Sequence, residues 1–347
     1  MARGSDWLKR AVTGACVALL VVILGGCSFF GGGPQSVNHP AGSNMRDIWN
    51  LFIPIFWMSV VVFAIVQGVL LYSVIKFRRK PGSPEPHPTH GNTKLEITWT
   101  IIPALILAVI TVPTIAKVSE FAKVPKNAIT VQVVGHQWWW EFDYPGEQVV
   151  DADEMHVPVG VPIEVQLRSD DVIHSFWIPR LAGKQDVVPN QNNHLHFTAE
   201  EIGTFRGQCA EFCGEQHANM AFTVVVQSQA DYDAWLAHNK LPAAEVPSSN
   251  QLAQQGQQVF FTAGCVGCHT IGGMEVNGVK ALGEVGPNLT HVGSRTAIAG
   301  EVLPLTQENL AKWVHNPQAV KPGTLMPNLG LTQEQANQVA AFLESLK

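Results

Sequence analysis

Two long apolar stretches constrain this chain more than any other feature. One covers about 48–75 and the other about 97–116. Each meets the roughly 20-residue length needed to cross a hydrocarbon core about 30 Å thick, where a helix satisfies its own backbone. Between them stand Lys76, Arg78, Arg79 and Lys80. Short loops rich in Lys and Arg stay cytoplasmic, so the pattern predicts a hairpin over 45–118, with helices at about 48–76 and 97–116. Everything after about Lys117 then faces the oxidising side of the membrane.

A shorter apolar run follows Lys9 and Arg10, covers 11–24 and ends in Leu24-Gly25-Gly26-Cys27. A charged start, an apolar middle too short to span comfortably and a small-residue exit read as an export signal. The ending resembles a bacterial lipoprotein box, which implies a lipoprotein-type signal peptide over 1–27 and acylation of Cys27; the alternative is an uncleaved anchor. At 347 residues there is room for about two globular units beyond the membrane part. The formal charge of −6 and the lack of a long basic run exclude the footprint of a nucleic-acid binder. Six cysteines in an exported chain ordinarily suggest disulfides. Their spacing argues otherwise, because Cys209 and Cys213 share one motif, Cys265 and Cys268 another, Cys27 ends the signal, and only Cys16 has no proposed role.

From 128 to about 227 the chain reads as short β-rich runs, such as 129–134, 161–167 and 222–226, separated by turn residues. Such spacing predicts a sandwich or Greek-key barrel. A polar segment over 228–250, with Pro242 and Pro247, reads as a linker carrying one helical turn around Tyr232 to Leu236. Helix-compatible apolar spacing returns at 251–261 and 332–346, with Thr332 as an N-cap.

The densest chemical signal is Gly207-Gln-Cys209-Ala-Glu211-Phe-Cys213-Gly-Glu-Gln-His217-Ala-Asn-Met220. Thiolate, imidazole and thioether are soft or borderline ligands, which select copper over calcium or magnesium. Two cysteines four apart on a tight loop can bridge two metal ions. A binuclear site needs a second imidazole, and His174 in Asp171-Val-Ile-His174-Ser-Phe-Trp is the best upstream candidate. A redox disulfide between Cys209 and Cys213 leaves three of these residues unexplained; a zinc site leaves the methionine unexplained.

This pattern, with the His-Ser-Phe-Trp strand end before it, resembles the CuA domain of cytochrome c oxidase subunit II over roughly 47–227, membrane helices included. The resemblance implies that His174, Cys209, Cys213, His217 and Met220 ligate a copper pair, and that Glu211 adds its backbone carbonyl while its side chain reaches a magnesium ion shared with subunit I. Gly135-His-Gln-Trp138-Trp139-Trp140 resembles the family's aromatic segment and implies that electrons enter at Trp138, although Trp139 stands where tyrosine is more common. Packing is the plainer role for any single tryptophan. Leu95-Glu96-Ile-Thr-Trp99-Thr-Ile-Ile-Pro103 resembles the family's second helix and implies that Glu96 lies near the mouth of a proton-uptake path; a snorkelling carboxylate is the alternative. Glu141, Asp143, Glu147, Asp151, Asp153 and Glu154 follow with no Lys or Arg among them. They read either as a surface steering a cationic cytochrome or as a solvated hairpin.

Cys265-Val-Gly-Cys268-His269 is the attachment signature of a c-type haem, in which two thiols add to vinyl groups and the histidine supplies an axial nitrogen. Met274, Met326, His291 and His315 are candidates for the sixth ligand. Met326 is favoured, because Met274 is too near His269 to reach the opposite face. Gly286-Pro287-Asn-Leu and Trp313-Val-His-Asn-Pro317 complete a resemblance to small bacterial cytochromes c over 251–347, which implies that Pro287 braces the axial histidine and that Trp313 packs at the haem edge.

The expected fold is therefore a multidomain membrane protein: two transmembrane α-helices, an all-β cupredoxin-like Greek-key domain and an all-α cytochrome c domain. The order resembles oxidases whose electron donor is fused to subunit II. It implies a route from an external cytochrome c or cytochrome bc complex through haem c, Trp138 and the copper pair to subunit I, where oxygen is reduced with proton translocation. It also implies residence in a bacterial plasma membrane among other oxidase subunits, with the C-terminal domains on the periplasmic or extracellular face. A CuA-containing nitric oxide reductase subunit and a stand-alone membrane-tethered electron carrier are the alternatives.

Overall fold

In the computed structural model, residues 13–15, 17, 33–85, 87, 88 and 90–347 are described. Cys16, Cys27 and nearly all of the expected signal peptide lie outside them. Residues 46–124 form one compact unit, and residues 125–347 together with the described residues up to 45 form the other.

The first unit is a helix pair, α1 (Ser43–Lys76) and α2 (Thr93–Phe121), each apolar and long enough to cross a membrane. Their apolar side chains point outward around the whole circumference, as suits a helix that faces lipid or other spans. Asn92 caps α2 by accepting from Leu95 N at 3.3 Å. Pro103 and Pro113 sit inside α2, where a span tolerates them because neighbouring groups re-satisfy the backbone. Four threonine hydroxyls, those of Thr98, Thr100, Thr111 and Thr114, bond back to carbonyls one turn earlier. At the far end Lys117 ties the helices together through Asp47 at 3.0 Å.

The second unit begins with two five-stranded sheets. One runs β3-β2-β1-β5-β8 (β1 Ile129–His136, β2 Trp139–Tyr144, β3 Val149–Ala152, β5 Pro162–Ser169, β8 Asn193–Thr198); the other runs β4-β10-β9-β6-β7 (β4 Glu154–Pro158, β6 His174–Trp177, β7 Lys184–Val187, β9 Gly203–Cys209, β10 Ala221–Gln227). Parallel pairing of β1 with β5 and of β4 with β10 marks the crossovers of a Greek key. Alternate residues face inward, as in β5, whose pattern buries Ile163, Val165 and Leu167. Trp140 from the first sheet meets Phe176 and Phe222 from the second edge-on, with ring centroids 5.4 and 5.6 Å apart. The resulting core is continuous.

The polar segment after β10 holds more order than one turn. Helix α3 (Gln229–Asn239) is capped by Ser228 and lays Trp235 flat on His156, centroids 4.3 Å apart. Burying a tryptophan face against the sheet is reason enough for three turns to form.

The remainder is helical with two small hairpins: α4 (Gln251–Thr262), β11 (Thr270–Val276) with β12 (Val279–Leu282), β13 (Ala297–Ile298) with β14 (Leu303–Pro304), α5 (Gln307–His315), α6 (Pro317–Val320) and α7 (Gln333–Ser345). Helices α4 and α7 cross closely because Gly256 has no side chain; a Cβ there would stand 1.9 Å from Gln338 O. Thr332 and Gln335 form a full capping box at the start of α7.

Candidate metal centre and cofactor cavity

Strand pairing brings two distant segments together. Strand β6 lies beside β9 with Phe176 opposite Cys209, and the loop from Cys209 to Met220 joins β9 to β10, closed by a bond from Cys209 N to Met220 O at 2.9 Å. His174, fully buried at the start of β6, thereby faces that loop. Gly135 makes room for it, since a Cβ there would lie 2.8 Å from the imidazole.

The Sγ of Cys209 is 3.8 Å from His174 Nδ1, 3.8 Å from Cys213 Sγ and 3.2 Å from Glu211 O. Cys213 Sγ is 3.6 Å from His217 Nδ1 and 3.8 Å from Met220 Sδ. Both thiols are free and buried, and the donor atoms of His174, Cys209 and Cys213 lie within 4.8 Å of one another. All six residues expected from the sequence therefore meet at one place. The Glu211 side chain is exposed and only its carbonyl turns inward.

Electrostatics shows what such a cluster calls for. The Cys213 S–H donates to Cys209 and, with His174 helping, pulls the Cys209 pKa far down against its burial. That thiolate, with burial, then holds Cys213 protonated. Two sulfurs this close cannot both ionise without a cation between them. Burial lowers the pKa of His174, but bonds to Asp171 and Cys209 outweigh it and raise it overall. Asp171, which accepts a hydrogen bond from His174 Nε2 at 2.8 Å, was not singled out from the sequence. A carboxylate behind a ligand imidazole fixes its tautomer and leaves Nδ1 for a metal, and a histidine three residues after an aspartate was the available hint. The convergent thiolate, imidazole and thioether set fits copper.

Trp138 is buried, and its indole Nε1 donates to Cys213 O at 3.0 Å, an acceptor shared with Gln137 Nε2 at 2.7 Å. On its other side is a cavity of about 280 Å³, whose wall includes Trp138, Cys265, Cys268, His269, Trp313 and Met326. His269 Nδ1 donates to Pro287 O at 2.8 Å, so its Nε2 is left with a lone pair; burial lowers its pKa and keeps it neutral. Gly286 must be glycine, because a Cβ would lie 2.6 Å from the His269 ring. Met326 lines the cavity, whereas the other sixth-ligand candidates are engaged elsewhere: Met274 with Gln257 at 3.3 Å, His291 with Leu241 O at 3.0 Å and His315 with Leu331 O at 3.0 Å. An apolar slot with two thiols and a neutral imidazole on its wall fits a covalently attached haem.

The second half of the acidic run, Asp151, Asp153 and Glu154, does neither of the two things expected of it, while Glu141, Asp143 and Glu147 stay partly exposed. Asp151 bonds Arg295 Nε at 2.8 Å, Asp153 accepts from Gly300 N at 3.1 Å, and Glu154 accepts from Thr296 N at 2.6 Å. All three carboxylates are buried against the haem-type part of the same chain. Arg206 and Thr223 add bonds to Glu301 from the sheet side. Glu96 stands apart, exposed in the first turn of α2, where a negative charge favours the helix dipole.

Comparison with known proteins agrees with this arrangement. Three family descriptions match: "Cytochrome C oxidase subunit II, transmembrane domain" over residues 34–116, "Cytochrome C oxidase subunit II, periplasmic domain" over 146–228 and "Cytochrome c" over 253–347. Cytochrome c oxidase subunit 2 of Alkalihalophilus pseudofirmus is 40% identical, over 95% of this chain and 96% of its own. The subunit 2 proteins of Bacillus sp. (strain PS3) and Bacillus subtilis are 35% and 32% identical; the alignments cover 78% and 95% of this chain and 80% and 96% of theirs.

Proposed function

The chain belongs to the cytochrome c oxidase subunit II family and carries a cytochrome c domain besides, and from that premise we propose that it relays electrons from an external donor into subunit I of a haem-copper oxidase. It is a membrane-anchored subunit whose family implies a CuA centre and haem c. When bound, these groups supply one-electron redox chemistry.

The protein's own residues hold and tune them. Cys265 and Cys268 are placed to attach the haem, and His269, kept neutral and oriented by Pro287 O, offers it Nε2. Met326 is the sixth ligand in this reading, a choice that raises the reduction potential relative to a second histidine. His174, Cys209, Cys213, His217, Met220 and the Glu211 carbonyl hold the copper pair. Deprotonation of both thiols accompanies metal binding, since thiolate is the ligating form. The exposed Glu211 side chain is free to share a magnesium ion with subunit I. Trp138 bridges cavity and copper loop, and Glu96 serves proton uptake.

The observation that carries this reading is the approach of His174 to the Cys209–Met220 loop. Metal and haem analysis of the purified full chain tests it: two coppers and one covalent haem per chain are expected. Full haem with no copper would leave only a tethered cytochrome.

A further inference from the structure

The haem-type part and the sheets meet along a seam with a lysine at its centre. Lys321 opens the turn that carries Met326 and is 2% exposed, and an ammonium is rarely buried so far without partners. Its Nζ donates to Trp138 O at 2.7 Å and to Ala299 O at 2.8 Å. Asp153, whose carboxylate also accepts from Trp140 N at 2.9 Å and Gly300 N at 3.1 Å, answers its charge. Burial pulls Lys321 down to about 8, and Asp153 opposes that fall. The passage is kept clear by Gly300, at φ +71°, where a Cβ would lie 2.7 Å from the ammonium. Trp138 is thus held at both ends, its indole by the copper loop and its carbonyl by the cavity side.

Resting on the relay reading above, we propose that Lys321 is a positioning residue that clamps Trp138 between the cofactor cavity and the copper loop. The step it serves moves one electron from the reduced haem to the oxidised copper centre, with no bond or proton changed. Stability alone is a poor account of this buried lysine, because well-packed apolar residues often replace buried charges without loss.

The test uses the full chain loaded with copper and haem. Lys321→Met is compared with Thr296→Val, which weakens the seam at Glu154 and touches neither Trp138 nor the cavity wall. Thermal midpoint, both absorption spectra and the rate of intramolecular electron transfer after photoreduction are recorded. Misplaced reacting groups cost up to about a hundredfold for about 1 Å, so Lys321→Met should slow transfer about tenfold or more with both spectra retained. Thr296→Val should lower the midpoint and leave the rate within about twofold. An unchanged rate in Lys321→Met, or equal slowing in both variants, overturns the proposal. If Lys321→Met does not fold, Lys321→Arg takes its place with the same expectation, since a planar fork cannot put one ammonium between two carbonyls. Failure of the relay reading shows separately, as absent copper absorption or absent transfer in the unaltered chain.

Discussion

Replacing Asp171 by asparagine probes the copper site without touching a ligand. The Asp171 carboxylate accepts three hydrogen bonds: from Val172 N at 2.6 Å and His174 Nε2 at 2.8 Å on Oδ1, and from Gln137 N at 2.6 Å on Oδ2. An amide has one acceptor oxygen and one donor nitrogen, so Asp171→Asn can serve either the first two donors or the third. In the better orientation its NH2 group meets the Gln137 N–H, donor against donor. A donor left without an acceptor costs about 1–3 kcal/mol when buried. The Gln137 bond is reached by water, which favours the lower end. That penalty is the same with and without copper, so it shows as a lower thermal midpoint. Copper affinity should fall about tenfold for another reason, because a neutral amide replaces the carboxylate that orients the His174 imidazole and raises its basicity. Competition against a chromogenic chelator, read on the thiolate-to-copper absorption of the full chain, measures this. Affinity within about twofold of the unaltered chain would refute the role given to Asp171.

Other substitutions report on the remaining parts. Met326→His should keep the haem attached and low-spin while lowering its reduction potential, read by spectroelectrochemistry. Gly286→Ala drives a methyl to 2.6 Å from the His269 ring, so attachment through Cys265 and Cys268 should survive while axial ligation is disturbed, visible as a high-spin absorption spectrum. Burial raises Asp153 from 3.8 to about 6, so the folded chain holds this proton more tightly than the unfolded one. Its stabilisation is complete below about pH 4 and is lost as pH rises to about 6, roughly 3 kcal/mol in all. In Asp153→Asn that part of the slope should vanish from thermal scans between pH 4 and pH 6.5.

What was legible in the sequence was whatever local chemistry dictates. The apolar length of α1 and α2, the alternation in β5, the capping box at Thr332 and the two cysteine motifs each depend on residues within a few positions of one another. His174 was found across a gap of 35 residues only because a copper pair needs a second imidazole. Asp153 and Lys321 act through partners that the packing of whole elements brings near, while Asp171 serves His174 three residues on and was missed because a carboxylate in a loop reads as solvated. No pattern around Lys321 separates a buried ammonium from a solvated one. Asp151, Asp153 and Glu154 show the same limit from the other side, since their charges look like surface until Arg295, Thr296 and Gly300 are laid over them.

That burial bears on how the proposed relay would be controlled. A docking surface for a diffusing partner must shed and regain its water at each encounter, so its charges stay at the rim, where they steer association and are screened by salt. Asp151, Asp153 and Glu154 are instead withdrawn from water against their own chain. Here docking happens once, during folding, and the segment through α3 keeps the two parts at high effective concentration. Charges can then be desolvated and matched to single partners, an arrangement that costs far more to break than a surface pair. Cavity and copper loop are therefore joined by the same contacts that hold the fold together. In the proposed relay, control by ionic strength or donor concentration would be left to the step in which an external donor meets the cytochrome c domain.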